Sequence, residues 1–206
     1  MDWLIWQLAD SAFPSGGFAH SAGLEAAWQQ GEVDGVEHFV RQVITQSGYG
    51  ALPLVGAAHE RAADLADLDA QCDAFLSNSV ANRASRIQGR AFLLAARRAF
   101  PSLPEFSAMH YAPLFGAICG VMEIDRRTTQ ALFLQIACRS VLAAAVRLGV
   151  IGSNAAQRLQ ADLAPHLQET LDRCEYLTPD RLAQTAPLID LWQSMHDRIY
   201  SRLFQS

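Results

Sequence analysis

Six histidines, four cysteines and one short acid-hydroxyl-imidazole set are the side chains of this chain that could do chemistry. A metal centre needs ligands at spacings that bring them to one point, such as two histidines one helical turn apart or paired cysteines. His20, His38, His59, His110, His166 and His196 are instead scattered singly, and Cys72, Cys119, Cys138 and Cys174 contain no C-x-x-C pair. Their spacing offers no metal site, and lone histidines of this kind are more often surface or satisfied helix residues than ligands. Asp10, Ser11 and His20 hold the letters of a nucleophilic triad. A triad is a geometry rather than a neighbourhood in sequence, and no G-x-S-x-G is present. Asp10 and Ser11 then read as groups that cap helix ends and hold a loop. Gly16-Gly17 lacks the G-K-[ST] and the preceding strand of a phosphate cradle. No catalytic residue and no cofactor follow from these patterns.

All sixteen basic residues are arginine, and the net charge is −5. The absence of lysine removes P-loop, Schiff-base and kinase chemistry. The acidic balance argues against a nucleic-acid partner, which calls for a basic excess gathered on one face. Arg83, Arg86, Arg90 and Arg97 recur at helical spacing and share one side. Such a face is either solvated or a binding surface for an acidic partner. The cysteines sit mostly in apolar runs, as expected for reduced, buried thiols of a cytosolic protein. Met1-Asp2-Trp3 does not start a secretory signal. No apolar run reaches the length of a membrane span, the longest, Ala131 to Val146, being interrupted by Gln135 and Arg139.

Helices must position these groups, because no period-2 strand pattern occurs. The periodicity predicts an all-α, single-domain bundle over residues 1–206, with about eight to ten helices. Trp3 to Ala9 opens it. A turn at Pro14-Ser15-Gly16-Gly17 leads to a helix from Ser21 to Gln30, ended by Gly31. Asp34 with Glu37 reads as a capping box. Val36 to Ala63 is helical with a break near Gly48, Gly50 and Pro53. Leu65 to Leu76, Val80 to Phe100 and Pro104 to Val121 come next. Asp125 caps a helix running to Leu148, apolar on most sides and so central. Asn154 to Arg173 reads as one amphipathic helix. Thr178-Pro179-Asp180 reads as the start of a last helix reaching Phe204, with Leu188, Leu191, Trp192, Met195, Ile199 and Leu203 on one face.

Three stretches carry a family resemblance. Leu8 to Glu25 reads LADSAFPSGGFAHSAGLE. Asn82 to Ala91 reads NRASRIQGRA, with His110-Tyr111-Ala112-Pro113-Leu114-Phe115-Gly116 after it. His196 to Ser206 reads HDRIYSRLFQS. Together with Ser140 to Gly149 they resemble, in order and over nearly the whole chain, the urease accessory protein UreF family. The run Ser153 to Gln157 departs from the family pattern, where Gln and an Asp-Gly-Gln run are usual. Arg198 and Ile199 also replace commoner residues.

The resemblance implies an all-α protein that dimerises and is not an enzyme. It implies a cytoplasmic scaffold that, with UreD (also called UreH), recruits the GTPase UreG and regulates GTP-dependent nickel delivery to apo-urease. No cofactor, nucleic acid or membrane is implied. On those matches the N-terminal loop (Phe13, Pro14, Gly16, Phe18, His20) is expected to form a recognition or dimer surface, or else to brace the fold. Tyr200, Arg202 and Leu203 are expected to contact a partner that orders a loose tail, so that deleting Tyr200 to Ser206 leaves a folded domain. Arg83, Arg86 and Arg90 form a patch for the acidic or nucleotide-bearing face of the GTPase. The alternative is a helical enzyme with a small-molecule pocket between helices, lined by Asp10, Ser11, His20 and His110. Nickel bound directly by His and Cys is a third reading, which metal titration would separate.

Overall fold

The computed structural model describes residues 3–205. Among them are eleven α-helices and no strand: α1 Trp3–Ala9, α2 Leu24–Gln29, α3 Val36–Gly50, α4 Leu52–Glu60, α5 Leu65–Phe75, α6 Ser79–Ala99, α7 Tyr111–Val121, α8 Arg126–Arg147, α9 Ser153–Asp162, α10 Ala164–Cys174 and α11 Pro187–Met195. The all-α expectation holds. Met1, Asp2 and Ser206 lie outside the described residues.

α8 is the axis of the bundle, as its apolar circumference predicts. Leu132, Phe133, Leu134 and Ile136 join one core with α4, α5, α6 and α7, built around the rings of Phe92, Tyr111, Phe115 and Phe133. One turn later Cys138, Val141, Leu142, Ala144 and Ala145 join a second core with α2, α3 and α11. By length and composition α8 could cross a membrane, beyond what the interrupted run suggested, but most of its apolar window is buried inside the protein. Arg139 fits the interior side because its guanidinium donates to the Ala9 carbonyl at the end of α1. The four cysteines are free and buried. Burial pushes the thiols up, to about 12 for Cys72 and Cys119 and about 11 for Cys138 and Cys174.

Local signals explain several helix ends. Asp125 accepts from Thr128 N–H at 2.9 Å, and Asn78 accepts from Val80 N–H at 2.9 Å at the start of α6. Gly31 and Gly149, both with φ 71, close α2 and α8. Pro53 starts α4 after a break at Ala51, where the sequence placed one.

Four local expectations are corrected. Asp34 caps nothing: Gly35 is the N-cap of α3 and no side chain bonds there. The run 154–173 is two helices, because Pro165 restarts the chain as α10. Thr178-Pro179-Asp180 makes only a single 3-10 turn, Thr178 Oγ1 donating to Asp180 rather than to a cap. Pro187 then starts a short α11 that ends at Met195, so Arg198 and Arg202 share no helix face. Ile189 is its buried residue, while Leu188 and Leu191 are exposed.

α4 and α7 cross with their backbones in contact. A Cβ built on Gly116 would lie 2.1 Å from Val55 O, and one on Gly120 would lie 2.4 Å from His59 O. Only glycine permits that approach. Gly116→Ala is therefore expected to lower stability by about 2–3 kcal/mol, since a rigid backbone rather than a side chain must give way. Urea unfolding with an unchanged slope would measure it.

Candidate functional site

The first turn of α2 is Leu24-Glu25-Ala26-Ala27, and all four residues are buried. An acid among these apolar neighbours must find donors or cost several kcal/mol. Glu25 is 1% exposed and finds three. His196 Nε2 lies 3.0 Å from its Oε2, the Leu203 N–H donates to Oε1 at 2.6 Å, and the Phe204 N–H donates to Oε2 at 3.2 Å. His196 is fully buried. The N-terminal region and residues 196–204 are thus tied at one carboxylate.

A second tie is Arg147 at the end of α8. Its guanidinium donates to Phe18 O at 2.5 Å and to Leu203 O at 3.4 Å, and it lies 4.2 Å from the centre of the Phe204 ring. Gln29 Nε2 donates to Ser201 O at 2.9 Å, and the Gln205 N–H donates to Ala19 O at 2.8 Å. The tail is docked on the chain's own loop, and Phe204 is buried there. Removal of residues 200–206 would strip two donors from the Glu25 carboxylate. The deletion is therefore expected to lower the stability of the fold.

The loop divides into bracing and presenting residues. Phe13 packs edge-on against Phe92 at 5.9 Å. Gly16 takes φ 76 with its Cα facing Ala91 on α6, where an added Cβ would sit 3.2 Å away. Pro14 is exposed. Phe18 points outward and is 71% exposed; on the tail, Tyr200 is fully exposed and Leu203 is 60% exposed. Through Arg147 the two segments, distant in sequence, present large apolar groups from one clasped base. Arg202 is exposed, with Nη1 3.5 Å from Asp197 Oδ1.

The arginine patch divides similarly. Arg83 holds Asp197 through one nitrogen at 2.8 and 2.9 Å, and that hydrogen bond keeps the Asp197 carboxyl below the usual carboxylate range. Arg86 bonds Asp73 and Asn82. Asp73 is held far below the ordinary carboxylate range by hydrogen bonds from Asn82, then Arg86, then His110. Arg90 is exposed and meets no acid among the described residues.

The alternative pocket is not assembled. His20 lines a partly open cavity of about 260 Å³, and Asp10 borders a separate furrow beside α6. Ser11 is exposed. His110 is buried, with Nδ1 3.1 Å from Ser85 Oγ and Nε2 3.2 Å from Asp73. That trio has a triad's letters, but the hydroxyl faces Nδ1 and the acid Nε2, the reverse of a triad, and Ser85 Oγ is occupied by the Tyr111 N–H at 3.2 Å. It ties α5, α6 and α7 together. Among the described residues no three His, Cys, Asp or Glu side chains converge on one point.

Glu25, Arg147 and His196 stand inside the motifs read from the sequence, where they carried no role. The one signal was an acid within an apolar helical turn, which demands a buried partner.

Comparison with known proteins supplies the family context. A family model described as UreF matches residues 30–164. Urease accessory protein F of Oryza sativa subsp. indica is 37% identical, over 98% of this chain and 84% of its own length. Urease accessory protein F of Arabidopsis thaliana is 34% identical over 100% of this chain and 93% of its own length. Urease accessory protein UreF of Mesorhizobium japonicum is 34% identical over 95% and 92%. The family model leaves out both halves of the clasp, whereas these relatives align across nearly the whole chain.

The clasp leads to two expected outcomes. Glu25→Ala leaves His196 and two backbone donors buried without their acceptor, and is expected to cost about 3–5 kcal/mol in urea unfolding. Burial, then the nearby His196, lowers the pKa of His20 from 6.5 to about 4. The unfolded chain therefore takes up a proton there before the folded chain does. His20 favours the fold fully above about pH 6.5, and this contribution falls away between pH 6.5 and about 4. His20→Gln should flatten that part of a stability-against-pH curve.

Proposed function

This chain belongs to the UreF family of urease accessory proteins, and from that premise we propose that it is a non-enzymatic scaffold of urease maturation. In this reading it joins UreD (UreH), and the pair recruits the GTPase UreG and governs GTP-dependent nickel insertion into apo-urease in the cytoplasm. It works as a homodimer. Nickel is the cargo of the assembly, and this chain needs no resident cofactor.

The observation that carries the reading is the clasped face. Phe18, Tyr200 and Leu203 expose large apolar surface, while the Phe18 backbone is bonded to Arg147, the Leu203 backbone to Glu25 and Arg147, and that of Ser201, next to Tyr200, to Gln29. Scattered exposed apolar residues are ordinary, but here they sit on a base whose conformation is already set. A partner that covers them gains buried apolar area without first ordering the tail. The expectation that a partner orders this tail gives way to docking on a preformed face. Phe13 and Gly16 support that face from behind. Arg83 and Arg202 meet at Asp197 on the same tail, which links the arginine patch of α6 to the clasp. Phe18 and Tyr200 are thus the residues on which partner affinity depends.

Size-exclusion chromatography with light scattering tests this. The chain is mixed with UreD and UreG, with and without a non-hydrolysable GTP analogue. A single species holding all three proteins is expected. Phe18→Ala with Tyr200→Ala should weaken assembly about tenfold or more. Both side chains face solvent, so the melting temperature should hold within a few degrees. If the variant loses stability in step with binding, the loop only braces the fold.

A further inference from the structure

We propose that the outward face of α6 is a docking seam for an amphipathic helix of a partner protein whose flanking residues are acidic. The proposal rests on the partner reading above for the existence of a partner at this patch, and it adds the chemistry of what binds.

Ile87, Ala91 and Leu94 succeed one another at spacings of four and three along α6. Ile87 is 43% exposed and Leu94 is 50% exposed, while Phe92 and Ala96 on the opposite side are buried. α6 is therefore apolar on two faces: the inner one is covered by this chain, and on the outer one Gly16 borders Ala91 but leaves Ile87 and Leu94 open. The 4-3 spacing is that of a coiled-coil seam, the pattern by which one helix accepts another. Furrows run along both sides of it, one past Met109 and Arg86 and the other past Phe13 and Pro14. An ordinary solvated helix face would carry the arginines without the apolar seam.

Charge selects the occupant. Arg83, Arg90 and Arg97 recur every seven residues along one flank of the seam. Arg83 is engaged by Asp197, but Arg90 and Arg97 meet no acid among the described residues. The arginine flank stands out on a chain of net charge −5. A second copy of this chain is a poor occupant. Antiparallel pairing would set this flank against itself, and parallel pairing would set it against the positions of Gln88 and Ala95, which carry no acid. A helix with apolar residues on one stripe and Glu or Asp beside them meets both the seam and the flank.

The test uses a synthetic helix of about four heptads with leucine on the seam and glutamate on the flanks, and a twin with lysine on the flanks. Binding of each labelled peptide to the full chain is read by fluorescence anisotropy. The glutamate peptide should bind about tenfold or more tighter than the lysine peptide, less so at high salt. Arg90→Glu with Arg97→Glu should reverse that order. Leu94→Asp should weaken both peptides with unchanged circular dichroism, because the side chain is half exposed. Equal binding of the two peptides, or an order that survives the charge reversal, overturns the proposal. A dimer of the free chain that Leu94→Asp dissolves gives the seam to a second copy and also overturns it. A chain that assembles with UreD and UreG yet ignores the peptides loses only this proposal. One that binds the glutamate peptide yet fails to assemble loses only the scaffold reading.

Discussion

A carboxylate buried among apolar side chains sets the terms for much of this molecule. Glu25 cannot occupy the first turn of α2 without donors, because an uncompensated charge in that position would cost more than a typical fold can spare. The donors come from the other end of the chain: an imidazole and two consecutive backbone N–H groups. This requirement fixes the direction of residues 196–204 and seats Phe204 in the second core. It also explains why α11 stops at Met195. A continued helix would carry the N–H groups of Leu203 and Phe204 in its own ladder, leaving none for the acid.

The rest of the bundle supplies a base that does not yield. α8 runs through both cores, so displacement of one is felt by the other. α4 and α7 meet at backbone level, at glycines whose replacement has no space to occupy. The trio of Asp73, His110 and Ser85 then fixes α5 and α6 to the start of α7, with Asp69 accepting from the Met109 and His110 N–H groups at 2.9 and 2.8 Å. These ties hold α6 from its inner side, and on its outer side Ile87 and Leu94 stay exposed.

The helices were legible wherever hydrophobic period and local capping agreed. α8, with Asp125 before it and Gly149 after it, is the clearest case. The sequence misled where a capping pattern and a tertiary demand conflicted. Thr178-Pro179-Asp180 has the residues of a helix start, yet Pro187 and the requirement of Glu25 dictate the path of the chain beyond it. The amphipathic run over 154–173 hid Pro165, which a helix accepts only in its first turn. The site was half legible. The loop and the tail stood out as motifs, but nothing in their letters says that they touch, because contact across so long a separation is decided by the packing of α2, α8 and α11. The arginines of α6 were seen as a face. Which of them are neutralised depends on Asp73 and Asp197, and those partners come from other elements.

The chain's exclusive use of arginine gains a meaning at Arg147. An ammonium is a compact point charge, and to reach two carbonyls it would have to leave the aromatic face. The guanidinium is planar and forked. It donates to Phe18 O and to Leu203 O from different nitrogens while its flat face covers Phe204. One side chain thereby joins three segments that lie far apart in sequence: the end of α8, the N-terminal loop and the tail. The clasped face can be rigid because its two halves share this one planar group, and a partner meeting Phe18 and Leu203 meets residues whose relative positions are already fixed.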